Sequence, residues 1–383
     1  MDKKKYLERI SKNLRRYRAI ADLSQLELAE KADITRQGYF NIENGKAEPK
    51  ASTLQKIADA LGVKIIELLK EQPQFVSLRF RSKKNMASKD RNIREQTLLE
   101  FRKWLDDYKF LEKLLNDHRN FKLSALVGKE DSPEAMADKA RAALHLDERE
   151  FISDMCGLME SAGIKIWQSN PKTQAFFGFS LSEKDGGPAI GVNVNDDIRV
   201  ERKIFTVAHE LGHILLHPDS YHSEDESEPK DEEKQADVFA GLFLMPNKLF
   251  AAEWHKDMGF SFVERVLRVK RRFKVSYKTV LVRLAEQGFS SYQDLFFKFN
   301  AGFKKAFGRD LKDHFEPESV SSGFKGDEPA SSLNNLDFME ERFKRFVRMA
   351  FERELITTSK AADMLGISLS EMRERGTSWS ETP

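Results

Sequence analysis

His209, Glu210 and His213 have the spacing of a metal-holding helix turn. Residues four apart on an α-helix lie one turn apart on the same side, so both imidazoles can reach one ion. Glu210 sits beside them. In a His-Glu-x-x-His helix this glutamate is no ligand; it takes a proton from water and passes it to a leaving amine. Downstream, Glu233 is placed to be a third ligand. Asp237, one turn later, can accept the other N–H of a liganding histidine and so hold its tautomer. Three protein ligands with one open position are the composition of a catalytic zinc site. A closed structural site would want a fourth ligand, usually cysteine, and the chain has only Cys156.

Two elements must position these groups. The first is an amphipathic helix ended by Pro218, with Ile204, Val207, Ala208, Leu211, Ile214 and Leu215 on its apolar face. The second opens on Asp231, Glu232 and Glu233, runs through Phe239 and Phe243, and stops at Pro246. The blocks Arg202-x-x-Phe205-Thr206-x-Ala208-His209-Glu210-Leu211-Gly212-His213-x-x-Leu216-His217 and Glu233-x-x-Ala236-Asp237-x-Phe239-Ala240-x-x-x-Leu244-Met245-Pro246 resemble the ImmA/IrrE family of bacterial metallopeptidases. The resemblance runs from about residue 131 to 290 and implies zinc-dependent peptidase activity, commonly directed at a DNA-binding repressor. Family members often carry Asn where this chain has Asp237, which keeps an acceptor there.

At 383 residues the chain can bury more than one core. A formal net charge of +2 does not announce a nucleic-acid partner, so any such partner must be argued locally. One cysteine excludes an intramolecular disulfide and fits a reducing compartment. The charged opening is no signal peptide, and no apolar run reaches membrane-spanning length. A cytoplasmic protein without a membrane partner is expected.

Residues 6 to 70 read as five short helices. Ser24 with Glu27 makes a capping box, Thr35 caps a helix from Arg36 to Glu43, and Ser52 with Gln55 opens another, ended by Gly62. The segment resembles the Xre/Cro family of helix-turn-helix domains, including Ile42-Glu43-Asn44-Gly45 and Leu54-x-x-Ile57-Ala58-x-Ala60-Leu61. That resemblance implies a double-stranded DNA operator. Thr35, Arg36, Gln37 and Tyr39 then point toward base edges, while Gln25, Asn44, Lys46, Arg15 and Arg18 hold phosphates. A small helical protein-interaction module would read the same way. Operator binding by such domains favours a homodimer.

Between these regions, the basic run from Arg79 to Lys84 reads as a solvated connector, or as a strip lying along DNA. Helices are expected over 98–115, 133–146 and 151–163, and strands over 164–167, 176–179 and 189–195. The last is the candidate edge to receive a substrate backbone by strand addition. The acidic stretch 220–231 reads as a solvated loop, a gate over the cleft or a feature favouring a basic substrate; within it Tyr221 and His222 are alternative oxyanion stabilisers. His217 is either a contact of the metal or a residue favoured by the helix C-terminus. The tail from 337 to 376 has the rhythm of a second helix-turn-helix, with only Arg373 and Arg375 basic on its second helix, and reads as a contact or dimerisation module.

The expected architecture is α+β, multidomain and predominantly helical. It comprises a helix-turn-helix domain over 1–72, a charged connector over 73–130, a zincin-like metallopeptidase domain with a small sheet over 131–290, a Phe-rich segment and linker over 291–335, and a helical module over 336–383. The expected activity is a DNA-binding regulator with zinc endopeptidase chemistry, cleaving a repressor or antitoxin-like protein. The alternative is a non-proteolytic regulator whose zinc domain senses or assembles.

Overall fold

A computed structural model describes residues 3–70, 75, 78–80, 88–171, 173–174, 176–222, 229–308, 310–311, 316–318 and 333–381. The chain divides into two compact units: Met1–Phe75 with Lys83–Arg102, and Val76–Ser82 with Lys103–Pro383. Among the described residues no helix is long and apolar enough to cross a membrane.

The first unit holds α1 (Lys3–Ile20), α2 (Gln25–Lys31), α3 (Arg36–Glu43), α4 (Ala51–Leu61) and α5 (Ile65–Leu69). Leu14, Leu28, Tyr39, Ile57 and Leu68 close its core. The Ser24–Glu27 capping box forms, and Thr35 Oγ1 accepts from the backbone N–H of Gly38. A Cβ on Gly38 would lie 2.9 Å from that hydroxyl, so the cap itself asks for glycine there. The expected Ser52 box does not form. The chain is still extended at Lys50 and the helix begins at Ala51, which puts Ser52 inside the first turn.

The second unit contains a four-stranded sheet of β1 (Leu78–Phe80), β2 (Lys165–Ser169), β3 (Gly178–Leu181) and β4 (Ala189–Asn193), in the order β1-β3-β4-β2. β3 runs antiparallel to both of its neighbours, and β2 and β4 are parallel. α6 (Ser88–Leu115) crosses the division of the chain at Arg102, and α7 (Pro133–Ala143) and α8 (Met155–Ser161) follow it. Next come α9 (Val200–Leu216), α10 (Lys230–Leu244), α11 (Asn247–Lys256), α12 (Phe262–Phe273), α13 (Tyr277–Glu286) and α14 (Tyr292–Phe307). The tail forms α15 (Arg342–Glu352), α16 (Thr358–Leu365) and α17 (Leu369–Glu381).

Three expectations are corrected. The helix expected over 151–163 begins at Met155, because Asp154 caps it by accepting from the N–H of Gly157. The strand expected over 176–179 lies two residues later. β4 is paired on both sides, with β3 and β2, so it has no open edge to offer a substrate. The strand β1 was not expected; its segment reads as charged connector.

The core continues past α13. Phe299 and Phe303 of α14 join the cluster that includes Val207 and Leu211 of α9 and Phe239 and Phe243 of α10. The tail is anchored by Arg342, 2 % exposed at its side chain, whose guanidinium donates to Tyr108, Glu112 and Asp117.

Candidate metal centre and DNA-reading helix

α9 is buried on nearly every face, lying against α10 on one side and β3 and β4 on the other. Gly212 makes the first contact close. A Cβ there would sit 2.9 Å from the Phe239 ring and 3.3 Å from Ala236 Cα. That approach brings Glu233, at the start of α10, to the two histidines.

The three side chains meet. His209 Nε2 and His213 Nε2 are 2.9 Å apart, Glu233 Oε1 is 3.1 Å from His213 Nε2, and Glu233 Oε2 is 3.5 Å from His209 Nε2. All three donor atoms lie within 4.8 Å of one another. A tetrahedral zinc with bonds of about 2.0–2.1 Å separates its ligand atoms by about 3.3 Å, so the spacing suits such an ion.

The outer ring nitrogens set what the inner ones can do. His209 Nδ1 is 2.8 Å from Asp237 Oδ1, which can only accept while ionised, so Nδ1 carries the proton and Nε2 a lone pair. His217 Nε2 donates to Gln235 Oε1 at 2.9 Å, leaving its Nδ1 as acceptor. His213 Nδ1, 2.9 Å away, must then be the donor, and its Nε2 also presents a lone pair. Two lone pairs and a carboxylate facing one another in a buried pocket are reconciled by a cation between them. Burial also holds the His213 imidazole well below its ordinary pKa, hence neutral as a ligand must be. His217 thus stands behind His213 as its hydrogen-bond partner. Asp237→Ala and Gln235→Leu are each expected to weaken zinc binding about 10–100-fold, measured by chelator competition.

Glu210 is 1 % exposed. Its Oε2 accepts from Ser180 Oγ at 2.6 Å, and Ser180 Oγ is 2.8 Å from Tyr221 OH. Burial pushes the Tyr221 phenol far up, so it keeps its proton. β3 can deliver Ser180 this close because Gly178 lacks a side chain; a Cβ would meet Thr206 Cγ2 at 2.5 Å. Ser180 is absent from the sequence reading, although a buried serine within an apolar strand was the available signal. The side chain of His222 lies outside the described residues. Arg79 of β1 is a second unexpected participant. Its guanidinium donates to Glu232 Oε2, and to Glu233 Oε1 at 3.2 Å.

In the first unit Thr35, Arg36, Gln37 and Lys46 are exposed. Tyr39, expected at base edges, is instead buried, and its hydroxyl donates to Glu43 at 2.9 Å. Gln25 and Arg18, expected on phosphates, also turn inward and donate to Glu43. A carboxylate 1 % exposed needs those donors. Asn44 accepts from Arg15 at 2.8 Å and donates to the Phe40 carbonyl. Phe40 and Asn41 complete the face of α3 that carries Gln37; Asn41 is bonded to Gln37 at 3.1 Å, and the Lys46 ammonium lies over the Phe40 ring.

Residues 159–285 match the IrrE N-terminal-like domain, and residues 14–68 match the helix-turn-helix family. A prophage-derived HTH-type transcriptional regulator of Bacillus subtilis (strain 168) is 46 % identical over 57 residues, 15 % of this chain and 53 % of that protein. An HTH-type transcriptional regulator of Methanocaldococcus jannaschii is 42 % identical over 55 residues, 14 % of this chain and 83 % of that protein. The immunity repressor protein of Bacillus phage phi105 is 32 % identical over 63 residues, 16 % of this chain and 44 % of that protein. This chain therefore spans about half the length of the first and third of these relatives.

Proposed function

The chain belongs to the helix-turn-helix transcriptional regulators and carries an IrrE N-terminal-like domain, and from that premise we propose that it is a cytoplasmic, operator-binding zinc endopeptidase that cleaves a repressor or antitoxin-like protein. One observation carries the reading: three candidate ligand atoms converge, and the residue after His209 on α9, Glu210, is a buried carboxylate held by Ser180. A structural site has no task for it.

His209, His213 and Glu233 would hold the zinc, which when bound polarises a scissile carbonyl and acidifies water. Ser180 fixes one oxygen of Glu210, so the other takes the proton from water and returns it to the leaving nitrogen. Tyr221, protonated and tied to Ser180, keeps that serine's hydroxyl directed at Glu210. Asp237 and the His217–Gln235 pair hold the two imidazoles in their ligating tautomers.

The test compares new protein N-termini in host cells making the wild type with those in cells making Glu210→Gln. A short set of cleaved proteins seen only with the wild type supports the peptidase and names its substrate. Identical profiles, with zinc still bound, turn the reading to a regulator whose metal domain does not cleave.

For DNA, Arg36 and Gln37 at the exposed start of α3 are the proposed base readers and Lys46 a phosphate contact. Arg36→Ala is expected to cost about 1–3 kcal/mol of operator affinity and relax sequence preference, measured on DNA selected from a random pool. Lys46→Ala should weaken binding evenly across sequences and flatten its salt dependence.

A further inference from the structure

β1 lies along the edge of β3, the strand that faces the metal centre. Its register sets Leu78 opposite Leu181, Arg79 opposite Ser180 and Phe80 opposite Phe179. Side chains at facing positions of paired strands share a side of the sheet. Arg79 is therefore sent to the same side as Ser180, whose hydroxyl holds Glu210. There it reaches two carboxylates at the start of α10, Glu232 and Glu233, with its side chain only 6 % exposed.

Two facts make this more than a surface ion pair. The guanidinium sits 3.2 Å from Glu233 Oε1, the same oxygen that lies 3.1 Å from His213 Nε2. Arg79 thus brings a positive charge to one of the three ligand atoms, where it opposes an arriving cation. β1 also occupies a site of general use. β4 is joined to both β2 and β3, so among the described strands the one beside the metal centre that could take an extended peptide on its outer side is β3, and β1 fills that side. The chain on either side of β1, through Phe75 and from Lys83, belongs to the unit that carries the helix-turn-helix.

We propose that the edge of β3 is the peptide-binding edge of this domain and that the chain's own strand 78–80 holds it as an internal competitor, with Arg79 set against Glu233 in the place of metal charge. The competitor and the peptide role rest on the peptidase reading; the effect of Arg79 on the metal does not. An incoming substrate is then an extended segment able to displace β1, and a basic side chain opposite Ser180 would reproduce the pairing with Glu232 and Glu233.

Two measurements on the full chain decide the matter. In the first, Arg79→Ala is titrated with zinc against a chromogenic chelator. Loss of an opposing charge should tighten binding about tenfold or more, whereas a residue that merely supports Glu233 would loosen it on removal; looser or unchanged binding overturns the proposal. In the second, Leu78→Cys is combined with Leu181→Cys. Directly opposed antiparallel residues stand about 4.5–5.5 Å apart at Cα, within the span of a disulfide. Cys156, the only native thiol, is buried.

Oxidised, this protein should fail to cleave the protein whose new N-terminus marks the wild type, and dithiothreitol should restore cleavage. Equal rates with and without the bridge overturn the proposal and leave the peptidase intact. Tighter zinc binding by Arg79→Ala, with no protein cleaved by any form, supports Arg79 as a competing charge and sinks the peptidase reading instead. A double variant that fails to fold leaves the zinc titration to decide.

Discussion

Glu210→Gln is expected to lower the proposed peptide-bond hydrolysis about 10²–10⁴-fold while zinc still binds. The size would follow from losing a positioned general base, and the retained metal from geometry: the side chains that could hold an ion are His209, His213 and Glu233, and Glu210 is not among them. Glutamine is the right replacement. It keeps an oxygen to accept from Ser180, so the Ser180–Tyr221 arrangement survives. The defect should lie in kcat with little change in KM, because proton transfer belongs to the reaction and not to peptide docking. His213→Ala makes the contrast, losing metal and turnover together. If Glu210→Gln cleaves at the wild-type rate, the base lies elsewhere and the mechanism fails.

Glu43→Ala costs the helix-turn-helix unit about 3 kcal/mol, near the low end for breaking a buried ion pair. The carboxylate is 1 % exposed and receives Arg18 Nε at 2.6 Å, Tyr39 OH at 2.9 Å and the Gln25 amide. Deleting it strands three donors, although Arg18 keeps 22 % exposure and so recovers some hydration. Burial pushes the Glu43 carboxyl up, but the bonds from Arg18, Gln25 and Tyr39 outweigh it and hold the pKa below the ordinary value. A depressed carboxylate stabilises the fold above its unfolded pKa, and that contribution is lost as pH falls through its folded one. The wild-type unit should therefore lose stability in acid below the usual carboxylate range, and Glu43→Gln should flatten that loss. Urea titrations across pH, followed by operator binding, measure both. A neutral Glu43→Ala would mean that the buried cluster contributes nothing to this fold.

The convergence of His209 and His213 was legible because helix geometry is local: a spacing of four positions fixes their relation wherever the helix goes. Glu233 needed only the next helix to fold back. Tyr39 and Gln25 show the limit. On a helical wheel each is as polar as a base reader, and what turned them inward was Glu43, one turn on from Tyr39 within α3 but met by Gln25 only once α2 packs on α3. Ser180 offered only a weak signal, a serine within an apolar strand, and its hydrogen bond to Glu210 appears once β3 lies against α9. β1 was hidden by composition. A short strand in a basic run carries no alternating apolar pattern, and its pairing with β3 spans a hundred residues of chain.

The anchoring of Arg342 bears on where a recombinant fragment can be cut. Its guanidinium reaches Glu112 and Asp117, and its backbone N–H is 3.3 Å from Glu160, whose carboxyl burial and the nearby Glu340 push to about 7. A piece ended at residue 285, the last of the family match, would keep Glu112, Asp117 and Glu160 and discard their cation together with Phe299, Phe303 and Phe338 of the core. The matched span is shorter than the packed unit, and a fragment that keeps these contacts runs through α15.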